Sequence, residues 1–276
     1  LYASHDQIAT LIEDSRVQGV SLTGSERAGR QIASQAGQAL KKCVLELGGT
    51  DAYVVLDASD VKEAAQTAWN KRISNTGQAC TSNKRIIVME DIHDEFVQEL
   101  ISLADGYVKG DPLNPGEAGE NEYFPLSSRD AAEKLAQQVK LAVDAGATLH
   151  TGGELDAEGA YFSPAVMTGI PVGSDSFYEE FFGPVVTVWK ASSEEEAIEL
   201  ANDSLYGLGG AVMSEDEERA KKVANRIDTG MIHVNIPQAR GAELPFGGVK
   251  NSGMGRELGP LGMDEFVNVQ RYFVAD

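Results

Sequence analysis

Two residues in this sequence combine reactive chemistry with unusual placement, a cysteine at position 80 and a glutamate at position 46. Cys80 follows a helical pattern and is flanked by Gly77-Gln78 and Thr81-Ser82. A thiol on such a loop has room for a substrate and backbone N–H groups nearby, the setting of a thiolate nucleophile. Taken alone it reads as a buried structural cysteine, because free Cys is among the most buried residue types. Cys43, inside an apolar strand, keeps that structural reading. Glu46 interrupts the run Val44-Leu45-Glu46-Leu47 and stands directly before Gly48-Gly49. A carboxylate at a strand end, partly desolvated, has a raised pKa suited to a general base. Standing alone it reads as a surface carboxylate on the polar side of an edge strand.

Other candidates are weaker. Thr23-Gly24-Ser25-Glu26-Arg27-Ala28-Gly29 joins a strand to a helix, where N–H groups and the helix dipole hold phosphate. It is not a G-x-G-x-x-G fingerprint, and by itself it reads as an N-cap. The histidines at 5, 93, 150 and 233 have neither i, i+4 pairing nor carboxylate companions, so no metal site is expected.

The elements that must position these residues alternate. Helix is expected over Ser4–Asp14, strand over Gly19–Leu22, helix over Glu26–Leu40, and strands over Cys43–Leu47 and Ala52–Leu56. Asp60 with Glu63 forms a capping-box pattern for a helix that runs out before Asn75-Thr76-Gly77, which leaves Cys80 on a loop. Strand Arg85–Met89, helix Asp94–Ala104, a Gly/Pro-rich loop from Gly110 to Pro125 and helix Ser128–Ala145 follow. Then come strand Val185–Trp189, a helix capped by Ser193 with Glu196, strand Gly209–Met213, a helix capped by Ser214 with Glu217, and strand Met231–Asn235. Such alternation predicts an α/β fold with a parallel sheet. The stretch Glu265–Val274 reads as a terminal strand able to pair with another subunit.

The 43 acidic residues against 23 basic give a net charge of −20, which repels nucleic acid and anionic membranes. Runs such as Glu194-Glu195-Glu196 and Glu215-Asp216-Glu217-Glu218 stand where helices begin and suit the macrodipole. Two cysteines without paired spacing suggest neither disulfides nor zinc, and the composition reads as cytoplasmic. No apolar stretch is long enough to span a bilayer, and the first residues resemble neither a signal peptide nor a natural start.

Read in order, Leu22-Thr23-Gly24-Ser25, Leu45-Glu46-Leu47-Gly48-Gly49 and Gly77-Gln78-Ala79-Cys80 place the thiol 34 residues after the carboxylate. Glu180-Phe181-Phe182-Gly183-Pro184-Val185 and Pro245-Phe246-Gly247-Gly248-Val249-Lys250-Asn251-Ser252-Gly253-Met254-Gly255-Arg256-Glu257 complete five ordered motifs over nearly the whole chain. This pattern resembles the aldehyde dehydrogenase superfamily. The resemblance implies the C-terminal part of a Rossmann-type dinucleotide domain plus an α/β catalytic domain. Residues 1–47 would belong to the former, 48–247 to the thiol domain, and 248–276 would return to the dinucleotide domain and end in an oligomerisation strand. It also implies that Cys80 attacks an aldehyde, that Glu46 activates water to cleave the thioester, and that the cofactor is NAD or NADP. Gly24, Ser25, Gly29 and Leu47 match cofactor-binding positions, Glu180 the residue holding the nicotinamide ribose, and Phe182 a neighbour of the ring. The expected partners are a small-molecule aldehyde and further copies of the chain, in a homodimer or homotetramer, with no nucleic acid and no membrane.

The family carries an upstream region with the first cofactor strands, the adenosine contacts and an oxyanion-hole amide, so this chain reads as N-terminally truncated. Phe124-Pro125-Leu126 stands where the family usually shows Gly-Pro-Leu. Residues Ser21–Gly29 and Lys41–Glu46 look most like short bacterial succinate-semialdehyde dehydrogenases. In animal enzymes of that activity an arginine six residues before the nucleophile helps hold the substrate carboxylate. Here that position is Ser74, with Arg72 two positions earlier and Arg240 a second candidate. The competing readings are a non-catalytic or oligomerising remnant and a CoA-acylating aldehyde dehydrogenase, the latter opposed by Glu46.

Overall fold

A computed structural model describes residues 2–276. Its contacts divide the chain into two units, one running to Gly48 and including Arg240–Asp276, the other Gly49–Ala239.

In the first unit, α1 (His5–Glu13) begins at a reciprocal cap. The Ser4 hydroxyl accepts from the Gln7 N–H at 3.3 Å, and the Gln7 side-chain oxygen accepts from the Ser4 N–H at 2.8 Å. Next come β1 (Gly19–Thr23), α2 (Glu26–Gln38) and β2 (Lys42–Glu46), with β1 and β2 parallel and Thr23 opposite Glu46. A parallel pair needs a crossover, and α2 supplies it. The helix lies close above the chain leaving β2, because a Cβ on Gly29 would stand 2.6 Å from Leu47 Cδ1.

The second unit runs through β3 (Ala52–Val55), α3 (Val61–Ile73), β4 (Arg85–Met89), α4 (Glu90–Asp105), α5 (Arg129–Asp144), β5 (Thr148–Thr151) and β6 (Ala165–Thr168). It continues with α6 (Asp175–Tyr178), β7 (Val185–Ala191), α7 (Glu194–Asn202), β8 (Gly209–Met213), α8 (Glu217–Ala224) and β9 (Met231–Val234). The strands form one sheet in the order β9-β8-β3-β4-β7-β6-β5, parallel except where β5 meets β6. Every residue of β3 is buried, because both faces of the sheet are covered. Val54 and Ile87 face a core with Leu135, Phe177 and Trp189. Tyr53, Ile86 and Val88 face another with Trp69, Phe96 and Leu100. Each such side chain contributes roughly 1.5–3 kcal/mol.

The chain then returns to the first unit, where β10 (Gly253–Met254) pairs antiparallel with β2, placing Gly253 opposite Glu46, and α9 (Gly259–Asp264) follows. β2 is therefore an interior strand with neighbours on both sides.

Several expectations need correction. The parallel sheet has one antiparallel edge, β5 with β6, formed by two segments for which no strand is expected from the sequence. Ser214 does not cap α8. Its hydroxyl donates to Asp57 at 2.7 Å, and Asp216 is the cap, accepting from the Glu218 and Arg219 N–H groups. α4 starts at Glu90, not Asp94. Residues 265–274 form no strand; Val269, Tyr272 and Phe273 are exposed, and a strand forms only against a partner that takes its backbone groups.

Gly253 has φ +127°, and a Cβ there would lie 1.9 Å from the Leu45 carbonyl oxygen. Gly253→Ala is expected to destabilise the protein by about 2–4 kcal/mol in chemical denaturation, through backbone strain and loss of the β2–β10 pairing. A midpoint unchanged from wild type would contradict that packing.

Candidate active site

Glu46 ends β2 in the first unit. Its main chain is fully engaged there, with its carbonyl accepting from the Gly24 N–H at 2.9 Å and the next residue, Leu47, donating to the Ser252 carbonyl at 2.9 Å. The Ser252 hydroxyl donates to the Gly48 carbonyl at 2.7 Å, so Gly48 is tied to the glycine-rich stretch 245–255. The side chain is treated differently. It is 3% exposed, and neither carboxylate oxygen has a hydrogen-bond partner. Gly247, at φ +151°, gives it space, since a Cβ there would stand 2.8 Å from Glu46 Oε1. Burial pushes the carboxyl pKa up to about 8; the Glu257 charge adds to the rise and Arg256 opposes it. The edge-strand surface carboxylate is thereby excluded.

The glycine-serine turn lies in the same unit. The Ser25 hydroxyl accepts from the Ala28 N–H at 3.3 Å as the cap of α2, and nothing stands closer than 3.8 Å to a Cβ built on Gly24. Gly29 faces Leu47.

Cys80 lies in the second unit, beyond α3 and a single 3₁₀ turn, Ser74–Gly77. Three consecutive residues here have positive φ, Asn75 and Thr76 at 54° and Gly77 at 71°. For β-branched Thr76 that conformation is strained. Gly77 is required, because a Cβ there would fall 2.2 Å from the Gly183 carbonyl oxygen. Gly49 is required as well, since its Cβ would lie 2.6 Å from the Cys80 carbonyl oxygen. Glycines of two separate motifs are thus explained by close backbone approach around one loop.

Two buried cations hold this loop. Arg72 is fully buried and donates to the carbonyls of Val185 at 2.9 Å, Phe181 at 2.8 Å and Gly77 at 3.2 Å, and to the Ser82 hydroxyl at 3.0 Å. It therefore cannot serve as a partner for a substrate carboxylate. Lys84, 1% exposed, donates to the carbonyls of Ala79 at 2.6 Å and Cys80 at 3.0 Å and reaches Glu180 Oε1 at 3.1 Å. Glu180 Oε1 also accepts from the Gly49 N–H at 3.1 Å. The Phe182 ring is partly exposed, with Lys84 Nζ 5.5 Å from its centroid.

Burial pushes the Cys80 thiol pKa up, and the Asp51 and Glu180 charges add to it, while Lys84 and the Thr81 N–H act the other way. Asp51 is itself raised to about 6 by burial, despite Lys84 and the Gly209 N–H donating at 3.0 Å. Glu46, Gly24, Ser25, Gly29 and Leu47 are gathered in the first unit, and Cys80, Glu180 and Phe182 in the second.

Residues 3–272 match the family described as "Aldehyde dehydrogenase family". The chain belongs to that family. Among its aldehyde dehydrogenase relatives, a succinate-semialdehyde dehydrogenase (NADP(+)) of Deinococcus radiodurans is 50% identical over 262 residues, 95% of this chain and 54% of the relative. A succinate semialdehyde dehydrogenase (NAD(P)+) of Escherichia coli is 41% identical over 271 residues, covering 98% of this chain and 58% of its own length. The crystal structure of succinic semialdehyde dehydrogenase from Streptococcus pyogenes with NADP+ superposes with a TM-score of 0.93 at 45% identity, over 100% of this chain and 60% of that one. The chain thus spans little more than half the length of the aldehyde dehydrogenases it matches.

Three residues of the site, Lys84, Asp51 and Arg72 in its loop-holding role, were not anticipated from the sequence. The signal was the one that exposed Glu46: Lys84 stands directly before β4, which Arg85 opens and which is otherwise apolar, and Asp51 stands directly before β3.

A carboxyl whose pKa is raised on folding contributes stability below its unfolded value of 4.5, and that contribution is lost as pH rises toward about 8. Glu46→Gln removes the titration. It is expected to match wild type in thermal melts at pH 4 and to be more stable by on the order of 1–3 kcal/mol at pH 8.5. Equal melting at both pH values would mean that Glu46 is not desolvated.

Proposed function

We propose that the whole protein oxidises a small aldehyde acid, succinate semialdehyde or a close analogue, to the carboxylic acid with NADP or NAD. The observation that carries this reading is Glu46, a buried carboxylate without a partner on either oxygen, raised to about 8, in a chain 50% identical to a succinate-semialdehyde dehydrogenase. A structural carboxylate would be bonded; a base that must take a proton from water benefits from being left unpaired.

The Cys80 thiolate attacks the aldehyde carbon, and the resulting oxyanion is held in part by the Cys80 N–H. When bound, the nicotinamide supplies a hydride acceptor. Loss of hydride from the adduct leaves an acyl thioester on Cys80. Glu46 takes a proton from water, the hydroxide attacks the thioester carbon, and the acid departs as the thiol is regenerated. Glu180 suits a ribose: Oε1 is tied to Lys84 and Gly49, leaving Oε2 for the sugar hydroxyls. Phe182 would flank the ring, with Gly24, Ser25, Gly29 and Leu47 on the pyrophosphate side.

The same reading makes residues 1–47 with 248–276 the dinucleotide unit and 48–247 the thiol unit, in a cytoplasmic homodimer or homotetramer. The exposed apolar tail Val269, Tyr272, Phe273 and Val274 favours such assembly. No helix among the described residues is long and apolar enough to cross a membrane.

In the full-length protein, Cys80→Ser is expected to abolish NADP-dependent turnover of succinate semialdehyde, and retained turnover would sink the proposal. Glu46→Gln should keep a first-turnover burst of NADPH while the steady rate falls about 10²–10⁴-fold. In wild type the steady rate should fall about tenfold per pH unit below about 8, the value of Glu46, and a flat profile from pH 6 to 8 would remove Glu46 from the hydrolytic step.

A further inference from the structure

Lys84 sits at the centre of a closed ring of contacts. Its ammonium carries three protons, and three oxygens surround it: Ala79 O at 2.6 Å, Cys80 O at 3.0 Å and Glu180 Oε1 at 3.1 Å. The same Glu180 oxygen accepts from the Gly49 N–H, and the Gly49 α-carbon is packed against the Cys80 carbonyl. The ring runs from the Cys80 peptide through Lys84 and Glu180 to Gly49 and back to Cys80. A neutral amine has only two N–H donors and would leave one of the three oxygens unserved.

We infer that Lys84 is a positioning residue: one buried ammonium bonds both the nucleophile's own peptide and Glu180, fixing their spacing and holding a positive charge behind the thiol. The inference rests on reading Cys80 as the nucleophile and Glu180 as the ribose-binding carboxylate.

Neither a purely structural lysine nor a substrate-binding one fits this geometry. A structural cation need only satisfy carbonyls, as Arg72 does from α3, whereas Lys84 also engages a carboxylate with a free second oxygen. A substrate-binding cation needs an open face, and Lys84 has none. The charged groups around the thiol are Asp51 before β3, Glu180 after α6, Arg72 on α3 and Lys84 before β4. Lys71, also on α3, acts on Asp51. Of these, Asp51 and Glu180 raise the thiol pKa and Lys84 lowers it. Removing the Lys84 charge therefore moves the Cys80 thiol in a known direction, upward, and removing the Glu180 charge moves it downward.

The test is alkylation of Cys80 by iodoacetamide in the 276-residue chain, with second-order rates followed from pH 7 to about 11.5 by peptide mass spectrometry so that Cys43 is counted separately. Neither aldehyde nor cofactor is added. Lys84→Met is expected to raise the alkylation midpoint by about one pH unit and to slow alkylation at pH 8 by about tenfold. Glu180→Gln is expected to lower the midpoint. An unchanged midpoint in Lys84→Met overturns the inference; should that variant not fold, an unchanged midpoint in Glu180→Gln does so. In the full-length enzyme, Lys84→Met should cut kcat about tenfold or more with little change in the aldehyde KM, and should unmask an isotope effect with the deuterated aldehyde. A loss confined to KM also overturns it. Full-length protein without any dehydrogenase turnover would refute the proposed function, whereas the alkylation profile would still decide the role of Lys84.

Discussion

The Cys80 loop depends on buried cations bonded to backbone carbonyls. The Gly77 carbonyl, at the end of a turn with three successive positive φ angles, and the carbonyls of Ala79, Cys80, Phe181 and Val185 around it accept hydrogen bonds from buried side-chain cations. Left unpaired, each would cost about 1–3 kcal/mol. Apolar packing cannot satisfy them. Arg72 and Lys84 bring enough N–H donors on two side chains to serve Gly77, Ala79, Cys80, Phe181 and Val185. Burying these cations is itself costly, and the carboxylates of Glu180 and Asp51 offset part of that cost. The arrangement also joins the chain around Cys80 to the Glu180–Val185 segment.

Glu46 illustrates the opposite treatment of a buried polar group. Its main chain is bonded on both sides, to the Gly24 N–H and across to β10, so the position of the side chain is set by a three-stranded sheet. The carboxylate is then given no partner, and its proton affinity rises in consequence. A rigid backbone thus carries an unsatisfied carboxyl, at some expense in stability.

The net charge of −20 is accommodated without large stretches of unopposed repulsion. Acidic residues occupy the first turns of α7 and α8, where the N–H groups and macrodipole favour them, and Arg219 and Arg226 reach back to Glu194 and Glu195. Arg72, Lys84 and Arg85 are buried cations, two of them at the Cys80 loop.

The sequence by itself determined the alternation of strands and helices, the positions of Cys80 and Glu46 at the ends of their elements, and the family, because periodicity, caps and ordered motifs are local properties. Glu46 was legible as an anomaly, a carboxylate inside an apolar run. Lys84 and Asp51 break apolar patterns in the same way, but a charge at the mouth of a strand does not announce its partners. Arg72 was misleading in sequence: its distance from Cys80 suggested a substrate contact, and only packing turned its guanidinium inward onto four backbone and hydroxyl groups. The antiparallel edge β5–β6 and the unpaired tail 265–274 were likewise decided by which neighbours were available to take backbone hydrogen bonds. Tertiary structure alone decided why Gly49 and Gly77 stand in two separate motifs, since their common purpose, close backbone approach around the Cys80 loop, exists only when residues far apart in the chain meet.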